Sequence, residues 1–160
     1  MPQHMPGYAE LQVTTNYSFL RGASHVEELF AQAAMLDLPA LGITDRNSLA
    51  GIVRAHQRAE EADVRLVVGC RLDLLDGCSV LVYPTDRPAY TRLTRLLTIG
   101  KKRAGKGGCN LNWDDLAAHA DGLIALHLSR SAGEVAARSA AGEGADTEGN
   151  LSRLRDTASG

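Results

Sequence analysis

At 160 residues the chain is the size of one ordinary domain, and 44% hydrophobic residues give it material for a core. Its formal net charge of -2 excludes a globally basic nucleic-acid binder, and no apolar run is long enough for a membrane-spanning helix. Cys70, Cys78 and Cys109 are odd in number and lack CxxC spacing, so they read as buried thiols of a reduced, cytoplasmic protein rather than as a disulfide framework or a zinc site.

Residues 1–7 read as a flexible N-terminus. Residues 8–13 predict a strand, followed by a polar turn through Thr14, Thr15 and Asn16. Ser24 is the expected cap of a helix, with Glu27 as its capping-box partner and Leu29, Phe30, Ala33, Ala34 and Leu36 as its apolar stripe. The apolar run at 40–44, closed by Asp45, has the character of a buried parallel strand. A second helix is expected over 48–62, with Leu49, Ile52, Val53 and Ala59 turned inward.

Residues 65–70 predict a third strand and 79–83 a fourth. Pro88 suits the first turn of a third helix, which carries Leu93, Leu96 and Leu97 inward. A Gly/Lys loop over 100–108 leads to a short helix over 113–120 capped by Asn112, and residues 122–128 form a fifth strand. Residues 129–160 hold seven Ala, five Gly and five Ser against three large apolar side chains, which is too little apolar surface to offset ordering entropy. They read as a disordered tail.

Strands alternating with helices imply an α/β fold built on a parallel sheet or barrel, because parallel neighbours need crossover connections. Chemistry in such folds lies past the carboxyl ends of the strands, which singles out residues 12–16, 45–47 and 71–73.

Those places carry a resemblance. The stretches LQVTTNYSFLRGA at 11–23, ALGITDRNSLAG at 40–51, LVVGCRLD at 66–73, YPTDR at 83–87 and LLTIGKKRAGK at 96–106 resemble, in order, the N-terminal PHP (polymerase and histidinol phosphatase) domain of bacterial error-prone C-family DNA polymerases. The resemblance covers about residues 5–127. It implies part of a distorted seven-stranded β/α barrel (residues 8–128), joined in a complete polymerase to palm, thumb and fingers. The polymerase carboxylates, and any magnesium, belong to that palm. The loss of likeness near Leu128 points to a truncated or frameshifted product.

Metal-using members end their first strand in His-x-His, their second in Asp-His, and carry a glutamate after the third; these ligands gather divalent metals that activate water against a phosphoester. By resemblance the corresponding positions here are Gln12 and Thr14, Asp45 and Arg46, and Arg71, so one ligand of the five remains. An amide and a hydroxyl are poor replacements for imidazole, and guanidiniums stay protonated. With an effective dielectric of ~20, a cation ~4 Å from another unit charge meets about 4 kcal/mol of repulsion, and a divalent ion roughly twice that. No catalytic metal, no cofactor and no catalytic residue is therefore expected, and Asp45 is expected to pair with Arg46 or Arg71 or to cap the following helix. His4, His25, His56, His119 and His127 are scattered without ligand spacing.

Residues 87–113 carry seven basic and no acidic side chains. The glycines of 100–108 do not follow P-loop order, since Gly107 and Gly108 come after Lys106. Arg92, Arg95, Lys101, Lys102, Arg103 and Lys106 are candidate contacts to a DNA backbone. Three functions stay open: the PHP portion of an error-prone polymerase, with the rest of that polymerase as partner; a free-standing metal-dependent phosphoesterase; and a small nucleic-acid-binding module.

Overall fold

A computed structural model describes residues 7–128. The expected tail at 129–160 and the first six residues of the expected flexible N-terminus lie outside the described residues. The chain divides into two units after Arg71.

The first unit contains β1 (Glu10–Val13), α1 (Val26–Met35), β2 (Ala40–Ile43), α2 (Ile52–Ala62) and β3 (Arg65–Val68). The strands form a parallel sheet in the order β1-β2-β3. Every residue of β2 is buried, as its uninterrupted apolar sequence requires of a central strand. Both helices pack on each other, and Val26, Phe30, Ala33, Leu41, Ile43, Ile52, Ala55, Ala59 and Val64 form the core.

Between Glu10↔Leu41 and Val13↔Ile43 the β1 register slips by one residue. Gly42 lies under this irregularity: a Cβ there would sit 2.5 Å from the Leu11 carbonyl oxygen, so only glycine lets β1 bulge over β2.

Two helix starts differ from expectation. In α1 the cap is His25, whose N–H donates to Glu28 Oε2 at 2.9 Å, one residue later than Ser24 and Glu27. The Ser24 carbonyl instead accepts from Asn16 N–H at 3.0 Å, which holds Ser24 in the preceding loop. Helix α2 begins at Ile52 rather than Ser48, after a turn in which Ile52 N–H donates to the Leu49 carbonyl. From that start the buried stripe is Ile52, Ala55 and Ala59, and Val53, expected inside, is 71% exposed because it lies about 100° round the helix from Ile52.

The second unit completes β4 (Cys70–Asp73) and adds β5 (Ser79–Pro84), α3 (Arg87–Ala104), α4 (Trp113–Ala118) and β6 (Leu123–Leu128), with sheet order β4-β5-β6. The expected third strand is thus two, interrupted at Gly69. Strand β6 runs antiparallel to β5, from Ser79↔Leu128 to Pro84↔Leu123. A wholly parallel arrangement does not hold: two helices intervene between β5 and β6, and a connection of that length can bring the chain back in either direction.

Helix α3 packs on β5 and buries Ala89, Leu93, Leu96 and Leu97. Asp86 caps it, accepting from Ala89 N–H at 2.7 Å, with Pro88 in the first turn where its missing N–H costs nothing. It continues to Ala104, so Gly100, Lys101, Lys102 and Arg103 are helical rather than part of a loop. Gly100 is tolerated there for packing: a Cβ would meet Cys109 Sγ at 2.6 Å and Leu111 Cγ at 2.7 Å.

Candidate functional site

The carboxyl ends of β1 and β2 meet at Asp45, only 2% exposed. Its Oδ1 accepts from Thr15 N–H at 2.8 Å and from Ser18 Oγ at 2.7 Å; its Oδ2 accepts from Thr15 Oγ1 at 2.7 Å. Each hydroxyl also accepts. Arg46 N–H donates to Ser18 Oγ at 2.8 Å, and Tyr17 N–H to Thr15 Oγ1 at 3.1 Å. The buried carboxylate therefore anchors a two-branched network that ties the loop after β1 to the end of β2. Charge-assisted bonds of this kind stabilise by about 1.5–3 kcal/mol each, which offsets the desolvation of a buried carboxylate.

The surrounding backbone fits the network closely. Ser18 N–H donates to the Thr15 carbonyl at 3.0 Å, while Arg21 and Gly22 N–H donate to the Ser18 carbonyl at 2.9 and 3.1 Å. Gly22 passes so near that a Cβ would lie 2.3 Å from the Thr15 oxygen. Gly51 approaches from the other side, where a Cβ would meet the Tyr17 ring at 2.8 Å and Asp45 Oδ2 at 3.5 Å. Cys70, buried, donates its thiol to the Asp45 carbonyl at 3.4 Å.

The five positions singled out by sequence are not gathered into one donor set. The β1 irregularity leaves Gln12 exposed, its N–H donating to Glu10 Oε1 at 2.8 Å, and Thr14 is half-buried just past the strand. Arg46 and Arg71 are brought together: they pair as a parallel bridge, with Arg71 N–H donating to the Asp45 carbonyl at 3.1 Å and Asn47 N–H to the Arg71 carbonyl at 2.8 Å. Asp45 was expected to join an arginine or cap α2; its hydrogen bonds described above go to Thr15 and Ser18. The cap of α2 is Gly51, which lacks a side chain.

This donor set does not fit a divalent cation. The Asp45 oxygens face three hydrogen-bond donors, the neighbouring strand ends carry two guanidiniums, and among the described residues no three His, Cys, Asp or Glu cluster at ligating distance. The described histidines are engaged elsewhere: His25 Nδ1 with Asn16 Nδ2 at 3.1 Å, His119 Nδ1 with the Asp115 carbonyl at 2.9 Å, His56 beside Glu60, and His127 stacked on Trp113. Ser18 is the site residue that sequence reasoning missed, and Thr15, inside the stretch 12–16, was not assigned to Asp45. Their signal was present as polar residues within a loop that had to fold back against a strand ending in aspartate.

The basic residues separate into two groups. Arg92 donates Nε–H to the Asp121 carbonyl at 2.8 Å and pairs with its carboxylate at 2.9 Å, while Arg103 pairs with Asp115. The guanidinium of Arg103 holds the Asp115 carboxyl below its ordinary range, and the pairing raises Arg103 in turn. Asp115 also closes the α4 capping box with Asn112. Arg95, Lys101, Lys102 and Lys106 are exposed. Burial pushes the Cys109 thiol up, away from thiolate character.

The first unit is a parallel α/β unit with a buried aspartate where two of its strands end. The chain belongs to the PHP domain family, whose profile matches residues 10–159 and so continues past Leu128, where the resemblance was expected to end. It is 64% identical over 119 residues to error-prone DNA polymerase 3 of Agrobacterium fabrum, 61% over 132 residues to error-prone DNA polymerase 1 of the same organism, and 54% over 148 residues to the error-prone DNA polymerase of Caulobacter vibrioides. These alignments take in 74%, 82% and 84% of this chain but 11%, 12% and 14% of the polymerases.

Among solved structures, a protein described as a metal-dependent phosphoesterase from Bifidobacterium adolescentis aligns at a TM-score of 0.50 and 20% identity, over 69% of this chain and 42% of its own. An amidohydrolase from Chromobacterium violaceum aligns at 0.50 and 21%, over 59% and 33%. These two likenesses concern the fold alone.

Proposed function

We propose that this chain is the N-terminal PHP portion of an error-prone DNA polymerase, folded as part of a distorted β/α barrel, and that it works as a non-catalytic structural domain without a resident metal or cofactor. The single observation that carries this reading is the engagement of Asp45 by Thr15 and Ser18. The carboxylate that a metal-using relative would offer to a cation here fastens two strand ends. Its lone pairs face hydrogen-bond donors, so no water-activating step is derived from it.

The complete protein would carry out template-directed nucleotidyl transfer in the cytoplasm during damage-induced mutagenesis and translesion repair, using magnesium in a palm beyond this stretch. The remainder of that polymerase is the expected partner. No helix among the described residues is long and apolar enough to cross a membrane.

The test is direct. Purified chain assayed with manganese and p-nitrophenyl phosphate should show no turnover above buffer. Turnover abolished by Asp45→Ala would overturn the structural reading in favour of a free-standing phosphoesterase.

A DNA-contacting role is supported by the four exposed cations Arg95, Lys101, Lys102 and Lys106, which are the ones to assign to phosphates; Arg92 and Arg103 are held by aspartates. Single-stranded DNA retention should fall with salt, and neutralising Lys101, Lys102 and Lys106 should flatten that slope by about 0.7 per lysine that contacts a phosphate. An unchanged slope would remove this role.

A further inference from the structure

Phe19 and Leu20, at the tip of the loop after β1, are 84% and 87% exposed. Scattered exposed apolar residues are ordinary on a protein surface. This pair differs in how it is held. Ser18, immediately before it, and Thr15, three residues earlier, are buried and bonded to Asp45, and the two residues after it, Arg21 and Gly22, return their N–H groups to the Ser18 carbonyl. The tip is therefore displayed from a fixed base.

Leu20 also has φ of 61°, a left-handed conformation that glycine or asparagine would adopt with less strain. One position thus combines a γ-branched apolar side chain in water with an unfavourable backbone. Nothing in the first unit's own packing uses that side chain. Strain and exposure held together on a rigid support are what a pre-organised docking element requires, because its ordering entropy is already spent before association.

We propose that Phe19 and Leu20 form an apolar knob that seats in a hydrophobic pocket on the polymerase portion outside this stretch. That occupant follows from length: the matching region is 11–14% of the polymerase relatives, so most of such a chain is available to cover the tip. Arg21, exposed beside the pair, calls for a carboxylate at the lip of the pocket. The inference rests on the reading of this chain as a polymerase portion.

The experiment replaces the matching 119 residues of Agrobacterium fabrum error-prone DNA polymerase 3 with the corresponding stretch of this chain, and compares tryptic cleavage after Arg21 in that chimera and in the 160-residue protein. Cleavage should be at least tenfold slower in the chimera. Phe19→Ser with Leu20→Ser should abolish the protection, Phe19→Leu with Leu20→Met should keep it, and Met35→Ser with Val53→Ser, two other exposed apolar sites, should leave it unchanged.

Equal cleavage in chimera and isolated chain overturns the docking while leaving the polymerase reading intact, provided the chimera extends a primer. A chimera that is folded but cannot extend a primer overturns the polymerase reading and the docking with it. Dimerisation of the 160-residue chain that the double serine variant loses would assign the knob to a second copy and overturn the polymerase pocket.

Discussion

Removing the Asp45 carboxylate is the most informative perturbation of the first unit. In Asp45→Ala, Thr15 N–H loses its acceptor in a site where Thr15 is fully buried, and two hydroxyls lose the oxygen they point to. A buried donor left without an acceptor costs about 1–3 kcal/mol. The hydroxyls recover part of their loss by rotating, so the expected total is about 3–5 kcal/mol, a large share of the ~5–15 kcal/mol that holds a domain folded.

Asp45→Asn keeps one oxygen and the shape, and should cost about 1–3 kcal/mol through loss of charge assistance and one reversed donor. Amide hydrogen exchange reads the effect locally, at Thr15, Tyr17 and Arg46, whose N–H groups all belong to the network. A loss of ~3 kcal/mol corresponds to exchange faster by on the order of a hundredfold. Manganese and chelator should leave these rates unchanged in the wild type. Exchange at the three amides that Asp45→Ala does not alter, or that manganese slows, would refute the account of Asp45 as a strand-end anchor.

Gly42→Ala should destabilise the first unit by about 1–3 kcal/mol or more in urea unfolding, because the new methyl meets Leu11 backbone at 2.5–2.8 Å; a neutral result would show that β1 has room to move. Ser18→Ala should cost about 1–3 kcal/mol by removing the buried hydroxyl that donates to Asp45 and accepts from Arg46 N–H, with Arg46 exchange accelerating more than that of Thr15. Because Asp115 is depressed by Arg103, their pairing stabilises the folded state above the ordinary aspartate range and is lost as pH falls through the lowered folded value. Arg103→Ala should therefore raise the Asp115 pKa in an NMR titration and move the acid loss of the α4 cap to higher pH; an unmoved titration would refute the coupling.

Much of the architecture was legible locally. Apolar periodicity located α3 and its Leu93, Leu96 and Leu97 stripe, and the cap at Asn112 follows from a side chain that reaches an amide within three residues, while the Asp86 cap of α3 went unread. The uninterrupted apolar run of β2 announced a strand buried on both faces. Periodicity was less decisive where a helix start was ambiguous: moving the start of α2 from Ser48 to Ile52 turned Val53 outward.

By itself, the sequence determined the helices, most of the strands and the family, since each depends on residue identity or on neighbours a few positions apart. Tertiary structure decided what Asp45 does, because its partners Thr15 and Ser18 are 30 and 27 residues away. It likewise decided the antiparallel return of β6 and the pairing of Arg92 and Arg103 with aspartates. Charge and hydropathy are properties of a residue; the partner that satisfies a buried carboxylate is set by which distant backbone the fold brings within hydrogen-bonding distance.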